Sequence, residues 1–136
     1  MKGLVFVLLL TCVAVSGAGA AEEEAVVEKA EAVLGEDGVQ RVEVVAGSYF
    51  FTPNYIVLKA GIPAELVFKK EPGLTPHNVV LMVEGQQVRV DISTEGTTVK
   101  LTPTTAGKIP FYCDKKFLFF PSHREKGMEG VIEVVE

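Results

Sequence analysis

The chain has 136 residues, 48% apolar and 23% charged, which is room for one domain with a real hydrophobic core. A formal net charge of −5 and the lack of any Lys/Arg run interleaved with aromatics exclude a nucleic-acid binder, because an acidic surface repels phosphate backbones. Soluble, positively charged partners fit such a surface better.

Residues 1–20 read as a secretory signal: Lys2, an apolar run from Leu4 to Val15, and small residues at Ala18 and Ala20 before Ala21-Glu22-Glu23-Glu24. Cleavage is expected after Ala20. The apolar run is shorter than the roughly 20 residues a spanning helix needs. Leu9-Leu10-Thr11 lacks the small residue that normally precedes a lipid-anchored cysteine, so anchoring at Cys12 is the lesser alternative. The expected location is the periplasm or another exported compartment, with no membrane span in the mature form.

Cleavage removes Lys2 and no acid, so the formal charge moves from −5 to −6, and it leaves Cys113 as the one remaining thiol. An exported protein normally pairs its cysteines, so a lone thiol needs protection by burial, a partner or a metal.

Residues 21–40 form an acidic N-terminal segment rich in Glu and Ala. Val26, Ala30, Val33 and Leu34 fall at helical spacing before Gly35 and Gly38, which predicts a short helix or an acidic lead-in with solvated charges.

From 41 to 136 the pattern changes to short β-branched and aromatic runs between turn residues: 42–45, 55–59, 64–69, 78–83, 87–92, 97–101, 108–112 and 130–135. Val88, Val90 and Ile92 alternate with Gln87, Arg89 and Asp91, as in a half-buried strand. The fold class expected is all-β, a Greek-key β-sandwich of seven to eight strands.

The chain holds two histidines, His77 just before the run 78–83 and His123 between Cys113 and Met128. Singly, each residue has an ordinary reading: a solvated histidine, an inert buried cysteine, a gap-filling methionine. Together they offer two imidazoles, a thiolate and a thioether, the donor set of an electron-transfer copper site. The soft thiolate donates charge to copper, the imidazoles suit either oxidation state, and a distant thioether leaves Cu(II) under-coordinated. Zinc accepts His and Cys, but methionine is a poor fourth donor for it. Cys113 closes one strand and Met128 precedes the last, so three candidates share one loop, and His77 starts another strand. Loops of a sandwich cluster at its two ends, where these four can converge.

On Thr75-Pro76-His77-Asn78-Val79-Val80, Phe111-Tyr112-Cys113 and His123-Arg124-Glu125-Lys126-Gly127-Met128, residues 41–136 resemble the cupredoxins, the plastocyanin, amicyanin and azurin group. Phe51-Thr52-Pro53-Asn54, Ile56, Lys59-Ala60-Gly61 and Ile62-Pro63 look like the family's opening strands. The resemblance implies one copper ion, Cu(I)/Cu(II), held by His77, Cys113, His123 and Met128, with Asn78 tying two ligand loops together. The chain departs from the family in spacing: nine residues, 114–122, separate Cys113 from His123, and they include Phe117, Leu118, Phe119 and Phe120. These four either pack over the end of the sandwich or form an exposed patch. The long loop leaves the axial position open to Met128, a backbone carbonyl, Glu125 or water.

The leading functional expectation is a monomeric one-electron carrier that meets a cytochrome or oxidase. No base, nucleophile or substrate motif points to catalysis. The alternatives are a copper-homeostasis protein that sequesters or delivers the ion, an open copper site for small ligands, and a metal-free sandwich that binds another protein.

Overall fold

The computed structural model describes residues 24–136, and the predicted signal at 1–20 lies outside them. Eleven strands follow in order: β1 (Lys29–Glu31), β2 (Val33–Leu34), β3 (Gln40–Gly47), β4 (Phe50–Thr52), β5 (Tyr55–Lys59), β6 (Ala64–Lys70), β7 (His77–Val83), β8 (Gln86–Ile92), β9 (Thr97–Leu101), β10 (Gly107–Tyr112) and β11 (Glu129–Val135). All eight runs read from the sequence are strands here, and β1, β2 and β4 are additional short ones.

One sheet runs β1-β5-β11-β10-β7-β8 and the other β2-β3-β6-β9, with β4 on β3. The chain crosses between them after β1, β4, β5, β6, β8 and β9, the interleaving of a sandwich rather than a string of hairpins. Inward positions alternate as a two-residue period demands: Val44 and Ala46 on β3, Ile56 and Leu58 on β5, Leu66 and Phe68 on β6, Ile132 and Val134 on β11 are all buried. Phe51, Phe68 and Phe111 meet edge to face at the centre, with ring centroids 5.2 to 5.9 Å apart.

No helix forms in the described part of the acidic segment. Lys29–Glu31 pairs in parallel with Tyr55–Val57, and Val33–Leu34 pairs with Gln40–Arg41. The apolar stripe that suggested a helix stays in water, with Val26, Val33 and Leu34 all exposed. A short isolated helix is marginal in water, whereas edge pairing satisfies backbone groups on both β1 and β5.

Candidate metal centre

Three side chains converge at one end of the sandwich. His77 opens β7, Cys113 follows β10, and His123 lies on the loop that leads to β11. Cys113 Sγ is 4.0 Å from His77 Nδ1 and 3.4 Å from His123 Nδ1, and the two Nδ1 atoms are 3.2 Å apart. A triangle with edges of 4.0, 3.4 and 3.2 Å has its circumcentre about 2.1 Å from each corner. That matches the metal–imidazole and metal–thiolate bond lengths of a first-row ion, roughly 2.0 to 2.3 Å. The residues present therefore fit a single small ion, and two imidazoles with one thiolate favour a soft or borderline one.

All three residues are buried, and the side chain of Met128, the expected fourth donor, is wholly buried as well. Its backbone ties the others together: Met128 N–H donates to the His123 carbonyl at 3.0 Å, and Cys113 N–H donates to the Met128 carbonyl at 3.1 Å. Glu125, the alternative fourth donor, is exposed and engaged elsewhere. Its carboxylate accepts from Ser122 N–H at 2.6 Å while Ser122 Oγ accepts from Glu125 N–H at 3.2 Å. This reciprocal Ser-x-x-Glu arrangement is a capping box, and it organises the turn that carries His123.

The nine-residue spacing does not displace His123. Its N–H donates to the Lys115 carbonyl at 2.9 Å, closing a neck below the apolar tip, so the extra residues loop outward. Phe117, Leu118, Phe119 and Phe120 are exposed, which excludes their packing over the sandwich end.

Asn78 ties the loops together as expected. Its backbone N–H donates to Cys113 Sγ at 3.4 Å, its side-chain amide donates to Asp114 Oδ1 at 2.7 Å, and its carbonyl oxygen accepts from Asp114 N–H at 3.0 Å. Arg89 and Lys115 extend this brace to β8 through Arg89–Asp114 (2.6 Å) and Lys115–Asp91 (2.7 Å). Sequence reasoning missed Tyr49, whose ring meets the His123 ring edge-on at 5.0 Å, with Lys126 Nζ 4.1 Å from the Tyr49 ring centroid. Its one sequence cue is the Gly47-Ser48-Tyr49 turn, where Tyr49 takes a left-handed φ of 66°.

Burial, and after it the neighbouring His123 and Lys70, lowers the His77 pKa to about 4. Burial and Lys126 lower that of His123. Burial raises the Cys113 thiol, opposed by the Asn78 N–H. A medium that disfavours charge thus keeps both imidazoles neutral and ready to ligate, and leaves the thiol to lose its proton when a cation arrives.

No protein-family model matches the sequence, and no curated protein does. Solved structures do. The metal-binding domain of the Cu(I)-exporting P-type ATPase CopA of Streptococcus pneumoniae D39, with Cu(I), is 24% identical, over 82% of this chain and 100% of that one, with a TM-score of 0.59. A copper binding protein solved in the apo form by NMR is 27% identical, over 78% of this chain and 96% of that one, TM-score 0.56. Reduced auracyanin from Roseiflexus castenholzii is 16% identical, over 71% and 97%, TM-score 0.56. The chain has the cupredoxin fold. Within a cupredoxin frame, His77, Cys113, His123 and Met128 occupy one end of the sandwich, where a mononuclear site fits the single cysteine of the loop. Among the described residues no helix is long and apolar enough to cross a membrane.

Proposed function

We propose that this chain is an exported mononuclear copper protein whose task is one-electron transfer. His77, Cys113 and His123 hold the ion, and Met128 serves as the weak fourth donor. The observation that carries this reading is the donor triangle, already closed to within bonding distance of one central point.

Bound copper would supply a Cu(I)/Cu(II) couple. The protein's part is to hold the donors still, so that little has to move when an electron arrives. The Asn78–Asp114–Arg89 brace fixes the Cys113 side, the capping box fixes the His123 side, and burial of all four side chains keeps water from adding a ligand. The partner in this reading is a cytochrome or oxidase.

The test is to load the protein with Cu(II) and record absorption and electron paramagnetic resonance spectra, alongside Cys113→Ser. The expected result is an intense thiolate-to-copper band that the variant lacks. No band in the unsubstituted protein overturns the site. A second reading, copper sequestration or delivery, is favoured by the likeness to a domain of a Cu(I) exporter and to a copper binding protein. Under it, Cu(I) passes readily to a competing chelator. Under electron transfer, the ion stays through repeated redox cycles.

A further inference from the structure

Beyond the neck between Lys115 and His123, residues 116–121 carry no strand and no candidate ligand. Those residues form an apolar tip: Phe117, Leu118, Phe119 and Phe120 are 68, 69, 84 and 50% exposed. Four consecutive large apolar side chains in water are unusual for a free surface. Phe117 and Phe119 both stack on Phe120, with ring centroids 6.2 and 5.1 Å apart, and Leu118 at the bend takes a left-handed φ of 49°, so the rings form one contiguous apolar wedge beyond the neck. A wedge this exposed, set beyond a charged base, has the form of an element that enters an apolar medium. Leu74, on the neighbouring loop that precedes β7, is also fully exposed.

The charges fit the same occupant. Lys115 and Lys116 come immediately before the tip, and Arg124 and Lys126 just after it, with Lys115 paired to Asp91 and Arg124 to Glu129, while the whole chain carries −5. The two carboxylates of this loop are already engaged, Asp114 with Arg89 and Glu125 with the Ser122 backbone. Lys116 and Lys126 form no ion pair among the described residues. Glu28 precedes β1 at this same end of the sandwich but on its edge, with β5 lying between β1 and β11. An apolar point with a cationic collar at its base places aromatic rings in the acyl boundary of a bilayer and lysines at its headgroups.

We propose that the 114–127 loop inserts into the surface of an anionic lipid bilayer, tethering the metal end of the molecule to it reversibly. This does not depend on the metal, because the tip and its collar are fixed by the backbone and by contacts of the protein alone.

The test uses metal-free protein purified after processing by its host, its N-terminus read by mass spectrometry, and vesicles of phosphatidylglycerol and phosphatidylcholine in equal amounts. Binding is expected at low salt, at least tenfold tighter than to phosphatidylcholine alone. Leu118→Ser with Phe119→Ser should weaken it at least tenfold, and Lys116→Glu with Lys126→Glu should remove the preference for the anionic lipid. The chain contains no tryptophan, so Phe119→Trp gives a single reporter whose emission should shift to the blue on adding the mixed vesicles. An unmoved Phe119→Trp emission, or a double-serine variant that binds as tightly as the parent, overturns the proposal. Amide shifts confined to residues 114–127 on adding soluble cytochrome b5, an acidic protein, without vesicle binding, would overturn it in favour of an acidic protein partner.

Discussion

His123 Nδ1 lies 3.2 Å from His77 Nδ1, although the two residues are 46 apart in sequence. Two protonated imidazoles would repel at that distance, so the folded site requires them neutral. Burial lowers the His77 pKa from 6.5 to about 4, with further contributions from His123 and Lys70. The unfolded chain takes up this proton near pH 6.5, while the folded chain resists it down to about 4. The stability from a neutral His77 is therefore complete above about pH 6.5 and is lost as pH falls to about 4. The urea midpoint of the metal-free protein is expected to be level above pH 7, to fall across that window, and to fall less in His77→Gln. A midpoint that rises on acidification there contradicts the assignment.

Asn78 makes the connection that holds the cysteine loop to β7. Replacing it by alanine removes two side-chain bonds, at 2.7 and 3.0 Å, and leaves Asp114 with Arg89 alone. A part-buried pair of this kind contributes about 1–3 kcal/mol. Asn78→Ala is expected to lower unfolding free energy by that amount while keeping the backbone bond to Cys113 Sγ. Chemical denaturation measures the first, and metal affinity should fall less than in Cys113→Ser.

The strand pattern and the site were legible in the sequence for different reasons. Tyr55–Lys59 and Thr97–Leu101 match the sequence reading at both ends, because each is bounded by turn residues and alternates toward one core. The four candidate ligands were legible because the chain has so few of them: two histidines and, beyond residue 20, one cysteine leave little choice. What the sequence hid is tertiary. Lys29–Glu31 carries a weak helical stripe, and only the open edge of β5 makes it a strand. The contacts of Tyr49 with His123 and of Arg89 with Asp114 join segments 74 and 25 positions apart, with no local signal in either partner. The sequence allows the tip either to pack or to project, and it is the neck bond from His123 N–H to the Lys115 carbonyl that turns it outward.

Gly130 faces Phe111 across the β10–β11 pair. A Cβ there would lie 2.4 Å from Phe111 Cζ and 2.5 Å from the Asn54 carbonyl oxygen. The Asn54 oxygen is backbone and already accepts from Val131 N–H, so it cannot yield without breaking the link between β11 and the start of β5. Gly130→Ala is expected to cost about 1–3 kcal/mol, the range for overpacking a filled core. Thermal unfolding checks it, and an unchanged midpoint would mean that both the Phe111 ring and the Asn54 carbonyl give way at no cost.

Glu125 separates the fold of the ligand loop from its chemistry, because its carboxylate accepts from Ser122 N–H at 2.6 Å and takes no place among the donors. That bond holds its pKa below the usual value. Glu125→Ala removes half of the capping box, an effect of about 0.5–2 kcal/mol at a helical turn, borne here by the turn from Ser122 to Gly127. Global unfolding should change little, since the strands do not depend on this turn. The His123 side of the site should loosen instead, seen as faster amide exchange at residues 123–127 and faster loss of bound metal to a chelator. Glu125→Gln, whose side-chain oxygen can still accept from Ser122 N–H, should restore most of the exchange protection. If Glu125→Gln loses metal as fast as Glu125→Ala while protecting those amides, the carboxylate acts on the ion by its charge and not through the turn.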